Sequence, residues 1–308
     1  MINFRYHIVS LVAVFLALAV GIVVGVSLRP TIDEGLAQQA AQDRKTVQDL
    51  RAQIDRQNAL NDYRDAYADQ VGPVVTAGVL STYRVALVTM PDAPRPVVDA
   101  LTAAVDEAGG QLTSVSAVEP EVFDPDGADE VIQALSAFAG ELGLTDAMSP
   151  GMKTGVALAR AVATSTSGDV DPTAQALTRA MVAGGLATVD RSSDELAQLV
   201  LVVTAPAAAP AADPPDLTGH AEFALALGGR AVGVVVGGPN STGLTGTDVA
   251  EIRRSAAVAD VVSTVDVADL PSGVSTMIVA GKEQLLGRHG HYGALPGADG
   301  PAPELPVR

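Results

Sequence analysis

Residues 8–28, IVSLVAVFLALAVGIVVGVSL, form an uncharged apolar run of 21 residues. A bilayer core about 30 Å thick needs about 20 helical residues to cross it. A helix that is apolar on every face has no side to present to water. The run is longer than the apolar region of about 7–15 residues in a cleaved signal peptide. It also ends in Leu28-Arg29-Pro30, with no small-x-small cleavage site. An uncleaved single-pass transmembrane helix is therefore expected. Arg5 and the amino terminus precede the run, and Arg29 behind it is soon countered by Asp33 and Glu34. The positive-inside bias then places residues 1–7 in the cytoplasm and everything after residue 30 outside it. Ala13, Ala17, Gly21 and Gly25 recur every four residues. Small side chains at that spacing let two membrane helices approach closely, although an alanine-rich chain also yields such a stripe without a partner.

Pro30 is expected to end the span, and residues 30–72 to form a coiled-coil stalk. Leu36, Ala40, Val47, Leu50 and Ile54 mostly follow 3- and 4-residue spacings. After Gln57 the apolar set shifts to Leu60, Tyr63, Tyr67 and Val71, a break in heptad phase, and Asp43 falls in the seam. A helix of about 40 residues would reach about 60 Å. Together, helix 8–28 and the stalk point to a homodimer or higher oligomer. The alternative is a stalk helix packed back on the body.

Beyond the stalk the charge changes. Residues 1–71 carry 7 basic and 8 acidic groups, whereas residues 72–308 carry 12 and 28, most of the net charge of −17. A body this acidic repels phosphate backbones, so no nucleic acid is expected as a partner. The absence of cysteine removes disulfides, iron–sulfur ligation and thiol catalysis.

Within residues 73–293, strand-like and helix-like stretches alternate. The strands are RVALVTM (84–90), QLTSVSAV (111–118), LVLVVTA (199–205), RAVGVVVG (230–237), ADVVSTV (259–265) and STMIVA (275–280). Helices are expected from Pro94 to Ala108, through most of 128–188, at 217–227 and at 247–257. Continuous apolar runs suit strands buried on both faces. The expected fold class is α/β, a three-layer domain with a mainly parallel sheet. Residues 294–308 hold four prolines and no apolar period, and are expected to be a disordered tail.

Candidate chemistry in this body is sparse. Gly237-Gly238-Pro239-Asn240-Ser241-Thr242-Gly243 lies where a phosphate-binding loop would, yet it matches neither G-x-x-x-x-G-K-[ST] nor G-x-G-x-x-G. No G-x-S-x-G elbow exists, and His220 reads as a surface histidine. Met148 and Met152 offer two thioethers, which suit Cu(I) but also serve to fill gaps at a helix start. The chain is expected not to be an enzyme and to take no organic cofactor. GRHGHYG (287–293) is different. His289-x-His291 places two imidazoles on one side of an extended segment, and imidazole suits copper, nickel and zinc. Two histidines are less than a full ligand set, and a plain glycine-rich ending is the other reading.

The two ends of the chain carry a resemblance. Met1-Ile2, Arg5, His7, Val9-Ser10-Leu11, Ala13 to Ala19, Gly21 and Gly25 at the start, and Gly290-His291-Tyr292-Gly293 at the end, resemble the mycobacterial copper transport protein B family of actinobacteria. Length, the membrane-proximal coil and the segment STVDVADLPSGVSTMIVA (263–280) run in parallel, so the likeness covers nearly the whole chain. It implies an envelope protein of copper homeostasis and efflux, with copper as cargo and His289, His291 and Tyr292 as the first candidates for contact. The family is described as an outer-membrane channel. A spanning β-barrel should show repeated alternating strands of about 10 residues, and these strands are short, apolar and separated by helices. A pore would have to come from oligomers of the single N-terminal helix. Either membrane of the envelope accommodates such an anchor. The alternative from another class is a metal-free anchored scaffold that binds a second envelope component through its stalk and α/β domain.

Overall fold

In a computed structural model, the chain is described over residues 4–207, 215–240 and 246–304, with side chains described from Tyr6 to Val26 and from Gln39 onward. The first element is helix α1 (Phe4–Thr76). Its segment Tyr6–Val26 is long and apolar enough to cross a membrane, and every side chain in it is exposed. The backbone stays helical through Pro30, expected to end the span, and through Gly72-Pro73, where the 30–72 stalk was expected to close. A proline removes one amide donor, and the helix continues for about one turn beyond Pro73. There the absence of a side chain at Gly72 lets it lie against Ser275. Two compact units divide the chain, residues 1–64 and 65–308.

The second unit is mixed α/β. β1 (Arg84–Thr89), α2 (Arg95–Glu107) and β2 (Gln111–Val118) open it. The helical middle section resolves into α3 (Ala128–Leu135), α4 (Ala139–Leu142), α5 (Pro150–Val162) and α6 (Pro172–Ala183). Two of these starts are set by side chains: Ser149 accepts the Met152 amide at 3.1 Å and Asp171 the Ala174 amide at 2.8 Å, each before a proline at the first helical position. β3 (Ala187–Arg191), β4 (Leu199–Val203), α7 (Thr218–Gly228), β5 (Gly233–Gly237), α8 (Asp248–Arg254), α9 (Ala256–Ala259), β6 (Ser263–Val265), α10 (Pro271–Leu285) and β7 (His291–Tyr292) follow.

The strands form one sheet in the order β3-β2-β1-β4-β5-β6-β7, all parallel except β3. Successive side chains of a strand face opposite sides. Ala86, Val88, Val200, Val202, Val234 and Val236 accordingly pack under α3, α5, α6 and α7. Val85, Leu87, Leu201, Val203, Val235 and Val265 pack under α2 and α10 on the other side. Two cores on opposite faces of one sheet give the three layers expected.

Three expectations need correction. STMIVA (275–280) lies inside α10 rather than in a strand. Met277, Ile278, Val279 and Ala280 are all buried, and a helix covered on several faces loses the periodicity that marks a helix. β3 was not anticipated. It is short, alternates buried with exposed positions, and pairs antiparallel at the sheet edge. Residues 294–304, expected within a disordered tail, instead turn back onto β7. Gly293 N donates to Gly300 O at 3.0 Å, Asp299 N donates to His291 O at 2.7 Å, and Pro303 is buried. Hydrogen bonds from a following turn can order a proline-rich segment that has no apolar period of its own. Residues 305–308 lie outside the described part.

Candidate functional site

The GRHGHYG segment is the seventh strand and the turns on either side of it. α10 ends in a Schellman turn: Gly287 takes a left-handed φ of 77°, its N–H donates to Gln284 O at 2.9 Å, and Arg288 N donates to Glu283 O at 3.1 Å. His289 follows, exposed. His291 and Tyr292 then pair in parallel with Thr264 and Val265 of β6.

Adjacent residues of a strand point opposite ways, and here that separates the candidate ligands. Tyr292 turns into the core under α2 and α10 and donates its hydroxyl to the buried Glu283 carboxylate. Burial and that carboxylate push the phenol well above its usual range, so it stays protonated. Gly290 leaves the room this hydroxyl occupies, since a Cβ there would meet it. The structure therefore does not bring Tyr292 to the histidines.

His291 points to the other face, half-buried. Its Nδ1 lies 3.0 Å from Thr264 Oγ1. Burial, and next the nearby Arg253 guanidinium, hold its pKa below the usual histidine value, with a smaller push from His289. The neutral ring, the form that binds metals, is thus favoured. Thr264 Oγ1 accepts from Arg253 Nε at 2.8 Å and has a second lone pair for an Nδ1–H. That arrangement would leave Nε2 as the coordinating atom, with Thr264 fixing the ring behind it.

The surrounding frame rests on one buried ion pair. Arg253, in the last turn of α8, donates from Nη1 to Asp266 Oδ2 at 2.8 Å and from Nη2 to Tyr292 O at 2.9 Å. Asp266 also accepts the backbone amides of Ala294 at 2.7 Å and Leu295 at 3.2 Å. Gly293 has a φ of 133°, and a Cβ on it would run into the Asp266 carboxylate. The pair thus ties α8, β6, β7 and the final turn together. Arg253, Thr264 and Asp266 were not singled out in the sequence, where nothing local marks them as partners.

Among the described residues, no group of three or more His, Cys, Asp or Glu side chains is placed to hold a metal ion. Asp299, the acid at the final turn, accepts His291 N at 2.8 Å. The other candidates read from sequence also find places. His220 is not a surface residue: its Nδ1 meets Asp248 Oδ1 at 2.7 Å and its ring lies 4.0 Å from that of Phe123. Met148 and Met152 are half-buried at the start of α5. Of the glycine-rich loop, Gly237 packs against Met277 and Gly238 against Val249, while residues 241–245 lie outside the described part.

Comparison with known proteins matches residues 1–303 to the family described as "Copper transport outer membrane protein, MctB". The chain belongs to the MctB family. The protein named copper transporter MctB in Mycobacterium tuberculosis is 30% identical over 319 aligned residues, which cover 97% of this chain and 98% of the relative. The protein of the same name in Mycobacterium bovis gives the same values. Within this MctB family member, the GHYG segment has a structural account residue by residue: Gly290 and Gly293 make room, Tyr292 anchors the strand, and His291 faces away from that core.

Arg253→Met, which strands Asp266 without its counter-charge, should lower stability by about 3–5 kcal/mol, read by chemical unfolding of the full chain in detergent. A loss below about 1 kcal/mol would show that the pair is not the anchor. The His291 ring gives a pH dependence of defined sign. Its folded pKa is lowered, so its contribution is complete above the unfolded value of about 6.5 and is lost as pH falls from there through the folded value. His291→Gln should therefore flatten the fall in melting temperature between about pH 7 and about pH 5. An unchanged slope would mean that His291 does not titrate differently on folding.

Proposed function

We propose that this MctB family member is a single-pass envelope protein that limits envelope copper, with its α/β domain outside the cytoplasm and His289 and His291 as first contacts for the ion. The whole-chain match to proteins named for copper transport carries the reading, and the apolar segment Tyr6–Val26 supports a membrane anchor. Copper is cargo here. The outward His291 with Thr264 behind it, and the exposed His289 two residues before it, supply imidazole nitrogens to a borderline or soft ion. Water, backbone or a second chain completes the shell. The protein is not an enzyme on this reading. The structural duties of Gly290, Tyr292 and Gly293 favour, as a second reading, a metal-free scaffold in which the motif serves only to close the sheet.

Calorimetric titration of the full chain in detergent with Cu(I) and with Cu(II) separates the two. Copper contact requires saturable binding that His289→Ala with His291→Ala weakens by at least about tenfold, the equivalent of about 1.4 kcal/mol. Equal affinity in the double variant would leave the scaffold.

The proposal includes pairing through α1. Val47, Leu50 and Ile54 are 46%, 52% and 57% exposed, and in the span a Cβ on Gly21 or Gly25 would meet nothing within 4 Å. In this cysteine-free chain, Leu50→Cys tests pairing and sidedness together. A disulfide-linked dimer, and labelling of the reduced protein by an impermeant maleimide in intact cells, are the expected outcomes. A monomer under oxidation removes the coiled coil, and labelling only after lysis reverses the orientation.

A further inference from the structure

His291 offers a ring nitrogen that its own chain does not use. Its Nδ1 meets Thr264 Oγ1, whereas Nε2 has no hydrogen-bond partner among the described residues and is not shut away from solvent. His289, two positions earlier, is exposed and close enough to act on the His291 ring. The acids nearest these rings are engaged. Asp266 holds Arg253 and two backbone amides, Glu283 holds the Tyr292 hydroxyl, and Asp299 accepts the His291 amide. Asp260 and Asp299 bear on the ring electrostatically, yet no group of three ligating acids and histidines forms among the described residues. Each chain thus presents two imidazoles, half the set of a tetragonal Cu(II) site built from nitrogen.

The surface beside the histidines is apolar. β5, β6 and β7 run parallel, with Ser263 opposite Val235 and Thr264 opposite His291. That register sets Val232, Val261 and His289, each one or two residues ahead of its strand, along the same end of the sheet. Gln284 of α10 ties this end together: its Nε2 donates to Val261 O at 3.0 Å, and its Cβ lies where a Cβ on Gly233 would be. Leu286 follows two residues later. Val232, Val261 and Leu286 are 37%, 39% and 41% exposed, and exposed apolar residues gathered in one place mark a contact surface.

We propose that two copies of this chain meet at this end of the sheet and share one Cu(II) ion, each giving His289 and His291, with Val232, Val261 and Leu286 packed around the metal. The inference rests on the copper contact proposed above and adds to it the partner, the oxidation state and the stoichiometry. A second copy fits because a two-fold contact is self-complementary: the same patch supplies the missing imidazoles and a matching apolar rim. Four imidazoles suit Cu(II), whereas Cu(I) is selected by thiolate and thioether. Each copy keeps only half of the site, so the site opens whenever the copies part.

The full chain in detergent, with and without ¹⁵N-labelled histidine, is titrated with Cu(II) by calorimetry, and the nitrogens on the metal are counted from the EPR superhyperfine pattern. One copper per two chains, with four imidazole nitrogens, is the expected result. The nitrogen count reads sharing whether or not α1 already pairs the chains. His289→Ala should cut the count to two and weaken binding by at least about tenfold. Leu286→Glu, or Val232→Glu should that variant not fold, leaves both imidazoles in place and should give one copper per chain with two nitrogens. One copper per chain with two nitrogens in the unaltered protein would leave copper contact standing and overturn the sharing. No saturable copper binding would remove the shared site together with the copper contact beneath it. Four nitrogens retained in the glutamate variant would overturn the apolar surface as the meeting place.

Discussion

The central strands β1, β4 and β5 are buried on both sides, and that requirement organises the α/β unit. A parallel sheet of valine and leucine needs helices over each face, and the order β3-β2-β1-β4-β5-β6-β7 supplies them: α3, α5, α6 and α7 over one face, α2 and α10 over the other. The edges then need different treatments, because an unpaired edge invites further strands. β3 closes one edge with alternating exposed residues and an antiparallel partner. β7 closes the other with two residues, too few to stand alone, held by the Arg253–Asp266 pair.

That pair explains why a glycine-rich ending has a fixed shape. The carbonyl of Tyr292 and the amides of Ala294 and Leu295 converge on one guanidinium and one carboxylate. A buried ion pair gains little over an apolar replacement but costs much when one member is lost. It therefore acts as a specifier of register: β7 cannot slip by one residue without putting Tyr292 outside and His291 into the core.

The sequence disclosed the sheet more readily than the site. β1, β2, β4 and β5 were legible because apolar runs between glycines and prolines have few alternatives. α10 was misread because its MIVA segment is buried nearly all round, and β3 was missed because Asp190 and Arg191 dilute a five-residue signal. The extent of α1 was legible as two helices, since a proline lowers helix propensity without deciding the outcome. Around the histidines, sequence showed the imidazoles but not their geometry. Arg253, Asp266 and Glu283 reach Tyr292 and the turn that follows it from other elements, and no local spacing encodes those contacts.

His289 and His291 also bear on what kind of copper contact the proposed function requires. A storage or structural site would close the coordination sphere with protein ligands and a fixed outer shell. Here one imidazole is half-buried and oriented by Thr264, the other is exposed, and the tyrosine between the two glycines is committed to Glu283. Arg253 places a positive charge beside His291, which weakens a cation there, and Asp266 offsets it in part. A protein that passes an ion onward must bind it firmly enough to receive it and loosely enough to release it. On the proposed reading, two imidazoles, one oriented by Thr264 and one exposed, are an incomplete ligand set that would serve transfer better than retention. Such a set would leave coordination positions open for a donor and for an acceptor.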